Sequence, residues 1–160
     1  MPTDISPLAL AFLRQAQGAA KNRIRAQKAT QEGNAEAARL FVALADAQDV
    51  HVKKTLMLLR GKLESTADNL AEALLEAREL AMELLEDTIL AQAEGDKAAC
   101  SLLTQMAKSL ASHLSLPDMP CAKGQHMYVC TICGHIHVGD APGRCPVCQA
   151  VPEKFAVVTA

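Results

Sequence analysis

Apolar residues recur at helical spacing through four long stretches of the chain. In the first, Leu8, Phe12 and Ala19 share a face with Gln15. In the second, Phe41, Leu44 and Leu58 share one with Gln48 and His51. The third row is Leu70, Leu74, Ala77, Ala81 and Leu84, and the fourth is Leu103, Met106, Leu110 and His113. This spacing returns to one side of an α-helix, so each row reads as an inward stripe. The punctuation agrees. Ser6-Pro7 opens a helix over residues 7–31, which Gly33 stops. Asn34 caps a second that runs to Arg60, before Gly61. Ser65 or Thr66 caps a third that runs to Ala93, before Gly95, and Asp96 caps a fourth that ends near Leu116, before Pro117. Four long helices with short loops predict antiparallel neighbours in a bundle. The short connection between the second and third admits a crossing within one chain or an exchange between two. Beyond Pro117 the helical period is lost. Residues 117–126 read as a linker, and Tyr128-Val129 and Phe155-Ala156-Val157-Val158 as short strands.

The helical part repeats with an offset of 62 residues. Gly33 maps onto Gly95, Glu32 onto Glu94, Leu40 onto Leu102, Ala45 onto Ala107 and His51 onto His113. Two helix hairpins related by a pseudo-twofold axis give this pattern.

Composition narrows the class. Half of the 160 residues are apolar but only 2% are aromatic, so Ala and Leu carry the core, which favours helices. The net charge is −2, and in the tail Lys123, Arg144 and Lys154 balance Asp118, Asp140 and Glu153. With no basic stripe, a nucleic-acid-binding role is disfavoured. No apolar run approaches membrane-spanning length. The first apolar stretch lacks the basic lead of a signal peptide. Cys100 and Cys121 stand far apart, which suits a reducing cytoplasm better than a disulfide framework.

The other four cysteines form two Cys-x-x-Cys pairs, Cys130 with Cys133 and Cys145 with Cys148. The two-residue gap lets both sulfurs of a pair reach one ion from a tight turn. Two such turns supply a tetrahedral thiolate cage, selective for zinc or iron over hard cations. Gly134 follows the first pair, where a turn must bring N–H groups onto sulfur, and Pro146 stiffens the second. His135 and His137, between the pairs, read as exposed loop residues, because four thiolates already fill a tetrahedron.

Tyr128, both cysteine pairs, Gly134, Gly139, Asp140-Ala141-Pro142, Pro146 and Phe155 together resemble the short rubredoxin module at the C-terminus of rubrerythrins. The match departs at Gln149, where that family usually has Gly. In the helices, residues 28–33, 45–51 and 66–70 are similar to the family's corresponding segments. The resemblance implies a mainly α fold: a ferritin-like four-helix bundle over 1–116, a linker over 117–126 and a rubredoxin-like domain over 127–160. It implies one iron in the four-cysteine site, with zinc as an alternative occupant. It further implies a di-iron centre in the bundle that reduces hydrogen peroxide with electrons from the rubredoxin iron. A reductase as redox partner and a homodimer or higher oligomer belong to the same expectation.

Carried over position by position, the di-iron ligands are mostly missing. The helix 1 carboxylate position is Gln15, and the helix 2 pair is Gln48 and His51. The helix 3 pair falls on Ala77 and Leu80, and the helix 4 pair on Leu110 and His113. Two irons in a low-dielectric interior need bridging carboxylates; amides and hydrocarbon leave their charge uncompensated. Glu76 and Glu79 form a Glu-x-x-Glu one residue out of step, and a deletion before them would restore two ligands. Glu76, Glu79, Glu83 and Glu86, however, fall at the spacing of a solvated face. The plainer expectation for Gln15, Gln48, His51 and His113 is a hydrogen-bonded polar core, with a single metal on the two histidines as the rival.

Three functional readings follow. In the first, a rubrerythrin-like protein keeps the one-electron iron–tetrathiolate centre and has lost most peroxidase chemistry. In the second, a peroxide reductase works through a remodelled site of Glu76, Glu79, His51 and His113. In the third, the cage is a zinc staple on a helical scaffold that binds a partner.

Overall fold

The computed structural model describes residues 6–61, 63–116 and 125–159. They belong to two compact units, Met1–Glu64 and Ser65–Ala160. The expected position of Cys121, and most of the expected linker, lie outside the described residues.

The first unit is a hairpin of α1 (Pro7–Gln31) and α2 (Ala35–Arg60). Ser6 and Asn34 cap these helices by accepting the Ala9 and Ala37 N–H at 3.1 and 3.0 Å. Between them, Gly33 sits at φ 76° and the Asn34 N–H reaches back to the Ala29 carbonyl at 2.9 Å, a left-handed helix stop. α1 buries Ala19, Asn22, Ala26 and Ala29, and α2 buries Ala45 completely. Small side chains on the facing rows let two helices approach closely. The row of α2 toward α1 runs through Phe41, Ala45, Gln48 and Val52, each at least half-buried. This corrects the expected stripe. Leu44, His51 and Leu58 lie off that row and are exposed, Leu58 at 75%. The expected stripe runs through the largest apolar side chains, whereas helix contact is made by the small ones.

The second unit opens with the hairpin of α3 (Thr66–Ala93) and α4 (Lys97–His113). Its turn repeats the first one bond for bond, with Gly95 at φ 75° and the Asp96 N–H on the Ala91 carbonyl at 2.9 Å. The 62-residue repeat is thus a repeat of structure. α3 turns Ala77, Ala81, Leu84 and Ala91 inward, while α4 buries Ala107 and Ser109. α4 stops at His113, short of Leu116: the Leu114 N–H turns to the Ala111 carbonyl at 3.3 Å, a tighter closing bond.

The tail is a three-stranded antiparallel sheet of β1 (His126–Cys130), β2 (Ile136–Gly139) and β3 (Phe155–Val157), in the order β2-β1-β3. Tyr128 lies opposite His137, and Cys130 opposite Phe155. His137 is therefore a strand residue and half-buried, whereas His135 stays in the loop before β2 and is half-buried too. For His137 the expected exposed loop is replaced by pairing with β1. Among the described residues, no helix is long and apolar enough to cross a membrane.

Candidate metal centre

Two knuckles of nearly identical backbone build the site. In the first, the Gly134 N–H donates to the Cys130 carbonyl at 2.8 Å and the Cys130 N–H to the His135 carbonyl at 2.9 Å. In the second, the Gln149 N–H donates to the Cys145 carbonyl at 2.8 Å and the Cys145 N–H to the Ala150 carbonyl at 3.0 Å. Each loop must turn through the left-handed region to close. Gly134 does so at φ 79° and Gln149 at φ 62°, the sole described non-glycine residue with positive φ.

The loops bring the Sγ atoms of Cys130, Cys133, Cys145 and Cys148 within 4.8 Å of one another. The pairs Cys130–Cys148 and Cys133–Cys145 stand 3.6 and 3.5 Å apart. A tetrahedron of ~2.3 Å metal–sulfur bonds has edges of about 3.8 Å, close to both of these separations. Cys130 and Cys145 are buried, and Cys133 and Cys148 half-buried. Burial pushes the Cys133 and Cys148 thiols well up and up, respectively, although the N–H groups of His135 and Ala150 donate to their sulfurs. Burial acts on Cys130 too, but the Ile132 and Cys133 N–H groups overcome it and hold this thiol below its ordinary range. Backbone donors thus reach three of the four sulfurs and, against burial, favour the anionic form that a metal requires.

The polar residues of α1 and α2 make two separate contacts. Within the first hairpin, Gln15 and His51 approach at 3.4 Å through Oε1 and Nδ1. The Gln48 Oε1 instead accepts from the Asn22 amide at 2.8 Å, and Asn22 accepts from Arg25 at 2.8 Å. Arg23 is paired with Asp46 and Asp49 on the surface. His113, expected in the same core network, directs its Nε2 at the Gly134 carbonyl, 3.0 Å away. The reason is its place: it is the last residue of α4, level with the first knuckle. Beside it, Ser112 meets His135 at 2.9 Å. Burial, then the charges of His137 and His113, lower the pKa of His135 and favour its neutral form. Glu76 and Glu79 are exposed, as are Glu83 and Glu86, whereas Ala77 is half-buried. Asn22 escaped the sequence reading, although it continues the α1 row of Leu8, Phe12, Gln15 and Ala19 by the next helical step. The contact of α4 with the knuckle had no sequence signal.

A four-helix, rubredoxin-tailed chain with a buried four-cysteine cluster is rubrerythrin-like in class. Residues 128–156 match the family model described as "Rubrerythrin, rubredoxin-like domain". Among solved structures, nigerythrin in a mixed-valence state is similar over 98% of this chain and 89% of its own, at 22% identity and a TM-score of 0.54. Nigerythrin in its fully reduced, all-ferrous state gives the same values. Its partially reduced state aligns over 94% of this chain and 84% of its own, at 23% identity and a TM-score of 0.54. At such identity the likeness establishes the fold: a ferritin-like bundle with a rubredoxin-like domain. Among curated protein sequences, none is a significant match.

Proposed function

We propose that the four-cysteine cage holds iron and serves one-electron transfer, and that the helical part has lost most of the di-iron peroxidase chemistry of its relatives. The observation that carries this reading is where the side chains at the expected ligand positions go. The Gln48 amide is spent on Asn22, and the His113 Nε2 on Gly134. Ala77 takes the half-buried position on α3, while Glu76 and Glu79 stand in solvent. The first hairpin buries neutral amides and the second mostly alanine and leucine, where two metal ions need anionic oxygen.

At the cage the residues fit an ion that changes charge. Four thiolates hold iron in nearly the same geometry in both oxidation states, which keeps reorganisation small. Buried sulfurs limit water, and the N–H donors from Ile132, Cys133, His135 and Ala150 take up part of the negative charge. A reductase delivers the electron and an oxidant removes it.

Metal analysis with a visible spectrum, on protein from iron-replete cells, tests the proposal. One iron per chain at the cysteines is expected. Three irons per chain would defeat it, and so would zinc alone in a colourless protein. Peroxide-dependent reoxidation of the reduced centre that is lost in Glu79→Ala would support the remodelled enzyme instead.

A further inference from the structure

The Gly134–His135 peptide carries two hydrogen bonds at opposite ends of one planar amide. Its carbonyl accepts from the His113 Nε2 at 3.0 Å. Its N–H donates to the Cys133 sulfur. A carbonyl only accepts, so Nε2 carries the proton. We propose that His113 tunes the reduction potential of the tetrathiolate centre through this single peptide group, as a positioning residue that never touches sulfur.

The physics is that of a polarised amide. A donor on the oxygen draws charge through the conjugated O–C–N unit and makes the N–H a better donor. A ferrous cage carries one more negative charge than a ferric one. A stronger N–H···S bond therefore favours the reduced form and raises the potential. The last turn of α4 grips the same dipeptide a second time. The Ser112 hydroxyl donates to the Ser109 carbonyl at 2.6 Å, so His135 Nδ1 donates to Ser112 Oγ at 2.9 Å. That bond fixes the ring of His135 and the orientation of the amide it belongs to. Gly134 helps through its backbone: its φ of 79° is one that a side chain would strain.

The second knuckle repeats the arrangement with a different donor. Arg144 NH1 donates to the Gln149 carbonyl at 3.1 Å, and the N–H of the same peptide, from Ala150, donates to Cys148. In each knuckle, the peptide that feeds the second cysteine thus has a cation or imidazole on its carbonyl. The Arg144 contact is exposed and local to the module. The His113 contact is part-buried and comes from the helical hairpin, so it is the stronger lever and makes the helix end sensitive to the cage's charge. The coupling is reciprocal: reduction must tighten the His113–Gly134 bond.

This inference rests on the four-cysteine centre accepting iron, and its test separates the two. Potentials are measured on the iron-loaded full chain, for the native protein, His113→Leu and His113→Gln. Leucine should lower the potential, shifting the oxidised-to-reduced ratio at fixed ambient potential by about threefold, or ~28 mV for one electron. Glutamine keeps an N–H donor and should restore most of the shift. An unchanged potential in folded, iron-loaded His113→Leu overturns the proposal. A second measurement needs no variant and no iron. In the native chain loaded with zinc(II) or gallium(III), which copy the ferrous and ferric charges, the His113 Nε2 proton and the His135 amide proton are followed by NMR. Both should lie further downfield in the zinc form; coincident shifts overturn the relay even where the variants do not fold. A protein that holds only zinc in the cell would sink the redox reading and leave this second test intact.

Discussion

Gln149 occupies in the second knuckle the place that Gly134 occupies in the first, and adopts the same left-handed backbone, φ 62° against 79°. Both N–H groups close their loops onto the first cysteine of the pair at 2.8 Å. The turn is therefore dictated by the cage, and Gln149 adopts it against its own preference. A side chain in this region costs on the order of 1 kcal/mol.

Gln149→Gly should relieve that strain and stabilise the metal-loaded chain by up to about 1 kcal/mol, offset in part by the greater freedom of glycine when unfolded. Gly134→Ala should do the opposite by about 1–2 kcal/mol. Denaturant midpoints and the rate of metal loss to a chelator check both; a destabilised Gln149→Gly would show that the side chain is held by contacts worth more than the strain.

Gly18 is where α2 needs space rather than backbone freedom. A Cβ there would lie 2.2 Å from the Gln48 Nε2. Gly18→Ala should expel the Gln48 side chain, leave Asn22 without its partner, and cost about 1–3 kcal/mol. The gain in helix propensity from alanine, about 1 kcal/mol, should not cover the loss. Urea unfolding of the variant measures the balance.

The thiols give opposite pH responses with and without metal. Burial raises Cys133 and Cys148 above their ordinary value of 9.0 in the metal-free fold, while N–H donation lowers Cys130. A raised group binds more protons folded than unfolded. Its contribution is complete below the unfolded pKa and is lost as pH rises through the folded one. The metal-free chain should therefore weaken above about pH 9, where unfolded thiols ionise. The loaded chain must release those protons on binding, so its affinity should fall as pH falls. Chelator competition at pH 6 and pH 8, beside thermal unfolding of the metal-free chain, reads both.

Leu44 and Leu58 on α2 are exposed, at 44% and 75%. Apolar surface on this scale marks an interaction face. We expect the chain to assemble with a second copy, and Leu58→Glu to shift the population toward the smaller species. Sedimentation equilibrium across a concentration series is the check; a strictly monomeric native chain at all concentrations counts against assembly.

The sequence by itself determined the helices, their caps and stops, the repeated hairpin and the four thiolates. Each of these is local: a cap is a side chain within one turn of the N–H it accepts, and Cys-x-x-Cys is a single turn. It also put glutamine, alanine and leucine where the resemblance implies carboxylates, because that is a matter of residue type. The tertiary structure decided which row of α2 meets α1, since alanine and Gln48 set the helix approach and larger leucines do not. It also set the His113 Nε2 on the Gly134 carbonyl. Its ring faces a residue distant in sequence, and only the packing of α4 on a cysteine knuckle brings an imidazole donor to that carbonyl.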